Sequence, residues 1–179
     1  MMDTILRQQR TVMALLILAM SFIIFSCTSQ HATTKLSTIP LSQNTLLEKP
    51  FEFEPTIKNF SKHIVPPYKL SIFTVQNRHQ PSQKDTIYKF HRKKSELFIF
   101  KSRSNREMLF AGNICDDKIS LLNGVKVGIN RAAFFNSFTD VKYNQDDTVK
   151  MTSKAKMMNY KFVFKNDKLV AIKFDAYID

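Results

Sequence analysis

Several residue types are scarce in this chain of 179 residues, and each scarcity removes a class of protein. The sequence has three glycines, all within residues 112–128, and it has no tryptophan and only two cysteines. So few glycines exclude a collagen-like or linker-like composition, and a glycine-rich phosphate-binding loop has no place outside that stretch. The sixteen phenylalanines instead predict a core rich in that residue.

A hydrophobic run long enough to cross a membrane is also missing. The longest apolar run, from Val12 to Phe25, has fourteen residues with Ser21 as its one polar member. A membrane helix needs about 20 apolar residues, whereas an apolar segment of about 7–15 behind a basic start is typical of a signal peptide. Arg7 and Arg10 supply the basic start.

The residues that end this run resemble a bacterial lipobox. An aliphatic residue, Ile24, lies three positions before Cys27, and the small residue Ser26 directly precedes it. The resemblance implies that signal peptidase II cleaves between Ser26 and Cys27, and that acyl chains on Cys27 anchor the protein to a membrane. An uncleaved single span, with Cys27 near the membrane surface, is the alternative. With Cys27 modified, Cys115 has no internal disulfide partner.

The chain is predicted to divide into four parts. Residues 1–26 form the signal peptide and 27–50 a flexible tether, because serine, threonine, glutamine and asparagine dominate residues 28–47. Residues 51–67 are a mixed connecting segment that ends at a proline pair. Residues 68–179 form a single domain. Position 28 is threonine rather than the aspartate that retains lipoproteins at the inner membrane, so the sequence resembles lipoproteins that are sent to the outer membrane. No acidic cluster follows Cys27, and in this the sequence resembles lipoproteins that face the periplasm.

The domain is predicted to be α+β, with a predominantly antiparallel sheet of about five to seven strands. The C-terminal β-hairpin is the clearest element, because Tyr160, Phe162 and Phe164 alternate with other residues, and an alternating apolar run also follows Asn166 and Asp167. Both of these turn residues tolerate positive φ. Further strands are expected at 70–75, 87–90, 97–100, 108–114 and 119–127, with an edge strand near 148–151.

One short helix is expected near residues 130–139. Asn130 is a favourable N-cap residue, and Phe134, Phe135 and Phe138 share one helical face. Gly112, within the strand expected at 108–114, is a candidate bulge.

Two stretches near the C-terminus resemble small envelope lipoprotein domains of the BamE/SmpA-OmlA type and lipoproteins of Bacteroidota. They are GVKVGINRAAFFNSF and YKFVFKNDKLVAIKF, residues 124–138 and 160–174. The resemblance implies an envelope scaffold or adaptor rather than an enzyme.

No catalytic, metal or cofactor motif is visible. The four histidines, His31, His63, His79 and His91, lie in separate segments without metal-ligand spacing. Cys115 lacks a nucleophile signature and is expected to be a small buried hydrophobe. The acidic pairs at 116–117 and 146–147 are expected in turns. We therefore expect no catalytic residue, no metal and no cofactor.

The net charge of +12 favours acidic partners. The one tight basic cluster in the sequence, Arg92-Lys93-Lys94, is expected at a solvated turn. Nucleic acid is not an expected partner because the protein is predicted to lie in the cell envelope. The sequence thus predicts a non-catalytic, lipid-anchored outer-membrane protein that binds an envelope protein or an anionic envelope polymer. The alternatives are a periplasmic hydrolase or enzyme inhibitor, with a site assembled from distant loops, and a hydrophobic-ligand carrier with a cavity in the sheet.

Overall fold

A computed structural model of the chain describes residues 39–77, 80–154 and 157–176. The predicted signal peptide, its expected cleavage site at Ser26 and the Cys27 that is predicted to carry lipid lie outside these residues, as do His31 and His79. Within them, no helix combines the length and the apolar character that crossing a bilayer requires.

Seven strands form one antiparallel sheet in the described part of the chain. They are β1 (Lys69–Gln76), β2 (Lys84–Arg92), β3 (Ser95–Lys101), β4 (Glu107–Ile114), β5 (Thr148–Thr152), β6 (Met158–Lys165) and β7 (Lys168–Ala176). Their order across the sheet is β1-β2-β3-β4-β7-β6-β5, so β1 and β5 are the edges. The expected sheet-dominated α+β class is confirmed, and the edge strand lies where it was expected.

The C-terminal hairpin has the predicted turn. Asn166 and Asp167 adopt φ values of 50° and 55°. Two consecutive residues with positive φ are what a two-residue hairpin turn of type I′ needs, since its twist matches that of the flanking strands. The basic cluster Arg92-Lys93-Lys94 lies at the turn between β2 and β3, as expected, and Lys93 has a φ of 52° there.

Three short helices accompany the sheet in the described residues: α1 (Gln43–Glu48), α2 (Ile57–Ile64) and α3 (Arg131–Asn136). Each begins after a side chain that accepts a backbone hydrogen bond, from Ser42, Thr56 and Asn130 respectively. The helix predicted near 130–139 is α3. The expectation of one helix is corrected to three, because α1 and α2 form within the stretch that was expected to be tether and connecting segment, where their caps and their buried residues hold them: Leu46 and Leu47 in α1, and Phe60 and Ile64 in α2.

The packed structure begins earlier than Tyr68, where the domain was expected to start. Leu46 and Leu47 of α1 are buried, as are Phe51 and Phe60. The end of the expected tether and the whole 51–67 segment therefore belong to the compact unit. Apolar side chains spaced too irregularly to predict an element still supply core area once they fold over the sheet.

The strand expected at 119–127 is absent from the structure. A single 3₁₀ turn, Leu122–Gly124, occupies its middle, and only the isolated bridge between Ser120 and Lys126 gives β pairing there. The apolar residues of this stretch are nevertheless buried, namely Ile119, Leu121 and Val125. The alternation that suggested a strand comes from an irregular segment that packs on the core. Asn123 and Gly124 turn the chain within this segment, with φ values of 61° and 73°.

Gly112 is not the bulge residue. The register between β3 and β4 shifts so that Phe110 is the unpaired residue, while Gly112 pairs with Leu97 and Phe174. A methyl group at position 112 would lie 2.6 Å from Phe174 Cε1 and 2.8 Å from Leu97 Cδ2. The glycine is needed because those two side chains occupy the space that a Cβ would fill.

The helices cover one face of the sheet and bury a phenylalanine-rich core. Phe60 of α2 packs on Phe90 of β2 with ring centroids 5.6 Å apart, and Phe134 of α3 packs on Phe162 of β6 at 4.9 Å. Because successive residues of a strand point to opposite faces, the residues that alternate with these core residues face the other side of the sheet.

Candidate functional site

The second face of the sheet is not covered by any described element. The hydrophobic core cluster and the residues packed against it include no member of a group of apolar side chains on this open face: Phe73, Ile87, Phe98, Phe100 and Phe110. We call this group the aromatic patch. Monomeric soluble proteins seldom expose contiguous apolar area of this kind, and such patches mark interaction sites.

Strand register gathers the aromatic patch on the half of the sheet formed by β1 to β4. Phe73 pairs with Ile87, which pairs with Phe100. Phe98 and Phe110 lie with ring centroids 6.0 Å apart. Phe73, on the edge strand, is 49% exposed, whereas the other four are half-buried against each other. The patch is thus most accessible at the edge of the sheet.

Three lysines form a row on the other half of the same face. Lys150 of β5 pairs with Lys161 of β6, which pairs with Lys173 of β7. All three side chains are exposed, and none makes an ion pair within residues 39–77, 80–154 and 157–176. Directly paired Cα atoms in antiparallel strands are about 4.5–5.5 Å apart. We call these three residues the lysine row.

The lysine row continues in register across the remaining strands. Lys173 pairs with Asn113, then Glu96, His91 and Lys69 follow on β3, β2 and β1. Glu96 is the only acidic member of this line, and its carboxylate lies 2.6 Å from Lys89 Nζ.

Lys89 joins the two regions of the open face. Its Nζ lies 5.1 Å from the ring centroid of Phe98 in the aromatic patch. Besides Glu96, the register places one further carboxylate near the lysine row: Asp175, two residues after Lys173 on β7. The face as a whole presents more positive than negative side chains.

A second polar cluster lies where the turn after β4 meets β2 and β3. The Asp116 carboxylate accepts hydrogen bonds from Ser95 Oγ at 2.9 Å, Arg92 Nη1 at 3.1 Å, Tyr68 Oη at 3.2 Å and the Lys118 backbone N–H at 3.0 Å. The cluster ties Arg92, part of the basic turn, to the body of the protein. Only Lys93 and Lys94 of that turn point freely to solvent.

These contacts shift two pKa values in opposite directions. Partial burial alone would raise the pKa of Asp116, but the hydrogen bonds from Lys118, Ser95, Arg92 and Tyr68 outweigh it, so the pKa lies below its ordinary value. Burial, together with the neighbouring Asp116 charge, raises the pKa of Tyr68 to about 12. Every polar group of this cluster is satisfied, and the arrangement stabilises the fold.

Cys115 lies beside this cluster without a catalytic partner. Its backbone N–H donates to Ser95 Oγ at 2.9 Å, and its half-buried Sγ lies 3.5 Å from Asn113 Oδ1. His91, on the open face, instead contacts Ser71 Oγ at 3.1 Å. No cysteine–histidine pair forms among the described residues.

His63 lies in a cavity of about 450 Å³ that also includes Glu52 and Ser120. These three residue types are those of a hydrolase site, and the hydrolase alternative needs them to be linked by hydrogen bonds. The His63 ring stacks on Phe53 at 4.4 Å, and the Ser120 hydroxyl donates to the Leu121 carbonyl at 3.1 Å. No hydrogen bond links His63 to Glu52 or Ser120 in the described structure.

The adjacent aspartates at 116–117 and at 146–147 make separate contacts. Asp117 contacts Lys118 at 3.6 Å, and the Asp146 carbonyl accepts from Arg131. In the described ranges, no three histidine, cysteine, aspartate or glutamate residues gather closely enough to hold a metal ion.

Comparison with protein-family models, with curated proteins and with solved structures finds no match for this chain.

The lysine row is not evident from the amino-acid sequence. Alternating lysines in the terminal hairpin indicate a charged outer face, but pairing in register depends on the bulge between Val163 and Phe164 and on the neighbouring edge strand. The aromatic patch is not evident from the sequence because Phe98 and Phe100, which lie on the open face of β3, alternate with the buried Leu97 and Ile99, so the whole strand resembles a core strand.

Proposed function

We propose that this protein is a non-catalytic binding module of the bacterial cell envelope. Acyl chains on Cys27 hold it at the outer membrane, facing the periplasm, and the open sheet face binds an acidic envelope protein. The observation that carries the proposal is the unpaired lysine row beside an uncovered aromatic patch.

The lysine row supports an acidic partner for an energetic reason. Like charges directly opposite each other in a sheet destabilise it, and the three lysines have no acidic partner in the described structure. A carboxylate-rich surface would remove that repulsion on binding. Long-range attraction of this kind raises the association rate and weakens with salt, because the Debye length is about 8 Å at physiological ionic strength.

The aromatic patch favours a protein over a polymer that carries charge alone. Protein interfaces combine a few buried aromatic anchors with a polar rim, and the anchors contribute most of the affinity. Phe73 and the half-buried phenylalanines near it can serve as such anchors, while the lysine row serves as the rim. An anionic polymer would need the lysine row but would leave the aromatic patch exposed.

The lipid anchor rests on the lipobox alone. Mass spectrometry of the native protein tests it: the mature N-terminus should begin at Cys27 and carry fatty-acid mass. The Cys27→Ser variant should lose both the cleavage and the added mass. A native protein that retains Met1 and carries no lipid contradicts the anchor.

The open face is tested with two triple variants of the full-length protein in its own membranes. Lys150, Lys161 and Lys173 are replaced by glutamine in one. Lys49, Lys58 and Lys62, exposed on the helical side, are replaced in the other, so that both lose the same charge. Chemical cross-linking followed by mass spectrometry measures the partners.

The lysine-row variant should lose a cross-linked partner that the control variant keeps, and higher salt should reduce the same product in the wild type. Equal cross-linking in both variants contradicts the proposed face. A product that the lysine row controls but that Phe73→Ser leaves unchanged points to an anionic polymer rather than a protein.

A further inference from the structure

A second concave site lies at the opposite end of the sheet from the Asp116 cluster. Pairing between β4 and β7 covers only residues 111–114 of β4, so its first residues continue without a β7 partner. The divergence leaves a cavity of about 290 Å³, over which α1 and the segment from Pro50 to Pro55 pass. Ligand pockets in proteins have volumes of roughly 300–1,000 Å³, so this cavity suits a small molecule.

The walls of the cavity are mostly apolar. Met108, Met157 and Met158 line it together with Leu47 and Leu109. Unbranched methionine side chains adapt to ligands of different shape and are common at apolar binding sites. Met157 is 58% exposed, so the cavity has an opening beside it. We call this cavity the methionine pocket.

Tyr160 brings one polar group to the methionine pocket. Its side chain lines the cavity and is 1% exposed, and its hydroxyl is the one buried side-chain polar atom without a hydrogen-bond partner in the described structure. A buried hydroxyl without a partner costs free energy. Burial raises the pKa of Tyr160 above its ordinary value, so the hydroxyl stays neutral and able to donate.

Two carboxylates determine which charge the methionine pocket accepts. Glu48 and Glu107 both line it. Glu107 accepts a hydrogen bond from the Ile57 N–H at 2.8 Å and lies 3.6 Å from Lys101 Nζ. Glu48 is exposed, accepts a hydrogen bond from Asn44 Nδ2 at 2.7 Å and makes no ion pair within the described residues. An anionic head group would meet like charge here.

We propose that the methionine pocket binds an uncharged aliphatic chain that carries one oxygen, and that the adaptable methionine side chains move on binding so that the buried Tyr160 hydroxyl donates a hydrogen bond to this oxygen. The ligand class is therefore a neutral alcohol or carbonyl compound of medium chain length, and fatty-acid anions are disfavoured. This site shares no residue with the aromatic patch or the lysine row, although Met108 pairs with Phe100 at its border.

Photo-affinity labelling of the full-length protein in lipid nanodiscs tests the site. The probe is an aliphatic alcohol bearing a diazirine, and mass spectrometry locates the label. The label should appear on residues 107–109 or 157–158, and unlabelled octanol should compete. Octanoate at the same concentration should compete at least several-fold less well.

Tyr160→Phe removes only the hydroxyl. It should weaken competition by octanol about fivefold, the effect of one net hydrogen bond, while the thermal midpoint of the free protein stays equal or rises. Tyr143→Phe is the matched control, because Tyr143 is exposed and outside the pocket. Met157→Trp, at the opening, should block labelling without loss of folding.

Three results would overturn the proposal. The first is labelling that does not saturate, and the second is octanoate competing as well as octanol. The third is labelling that appears only after residues 177–179 are deleted, because the chain's own C-terminus would then be the occupant.

Discussion

Lys161 and Lys173 lie directly opposite each other on the two strands of the C-terminal hairpin, and Lys150 flanks Lys161 on its other side. Lys161 is thus between two like charges on adjacent strands. Like charges in this arrangement lower the stability of the free protein. Carboxylates of the proposed partner would compensate for this repulsion on binding.

Replacing the central lysine should therefore stabilise the protein. Lys161→Thr removes both repulsions and introduces a good strand-forming residue, so we expect a gain of about 0.5 kcal/mol in unfolding free energy at low salt. Urea unfolding at several salt concentrations measures it, and the gain should shrink as salt rises. Lys84→Thr is the control, since Lys84 pairs with Gln76. A loss of stability in Lys161→Thr at low salt contradicts the repulsion.

The Asp116 cluster predicts a loss of stability in acid. Because folding lowers the pKa of Asp116 from its ordinary value of 3.8, its contribution is present above that pH and is lost as pH falls through the folded value. Thermal unfolding measured from neutral pH downward should show this decline. Asp116→Asn should be less stable at neutral pH and should decline less. If the thermal midpoint of Asp116→Asn falls in acid as steeply as that of the wild type, other carboxylates cause the decline.

Arg131 holds three segments together from a buried position. Its side chain is 4% exposed, donates to Asp167 Oδ1 at 2.9 Å and to the Asp146 carbonyl at 2.6 Å, and lies 4.5 Å over the Phe164 ring. Arg131→Met keeps the apolar stem but leaves the carbonyl without its donor, which should cost about 2 kcal/mol.

Urea unfolding measures the effect of Arg131→Met. Arg103→Met, in an exposed turn, should stay within about 0.5 kcal/mol of the wild type. If both variants unfold at the same urea concentration, Arg131 does not hold the segments together.

Gly112 is expected to tolerate no side chain. Gly112→Ala places a methyl group against Phe174 and Leu97, and overpacking of this kind costs about 1–3 kcal/mol. Chemical denaturation measures the loss. Adding Phe174→Leu, which shortens the clashing side chain, should make the double variant more stable than the sum of the two single effects predicts. Additive losses would show that the clash is relieved elsewhere.

The elements that the sequence predicts correctly are those whose local pattern and tertiary role agree. Tyr160, Phe162 and Phe164 alternate and also face the core, and Asn130 both caps α3 and precedes its phenylalanine face. Prediction was wrong where apolar residues pack without a regular element. Ile119, Leu121 and Val125 are buried in an irregular segment, and Leu46 and Leu47 are buried on a six-residue helix within the expected tether.

The candidate site was less predictable than the fold. The resemblance at Cys27 predicts where the protein is held, and this depends only on adjacent residues. The methionine pocket draws residues from α1, β4, β6 and the end of β7, and no single stretch of sequence contains its pattern.

The amino-acid sequence alone was enough to predict a mostly antiparallel sheet, its terminal hairpin and the capped helix α3, because strand alternation and helix caps are local properties of the chain. Strand order, register and the choice of which phenylalanines remain uncovered were decided by the tertiary structure. Pairing sets charges such as Lys150, Lys161 and Lys173 side by side, and pairing depends on contacts between segments that are distant in the chain.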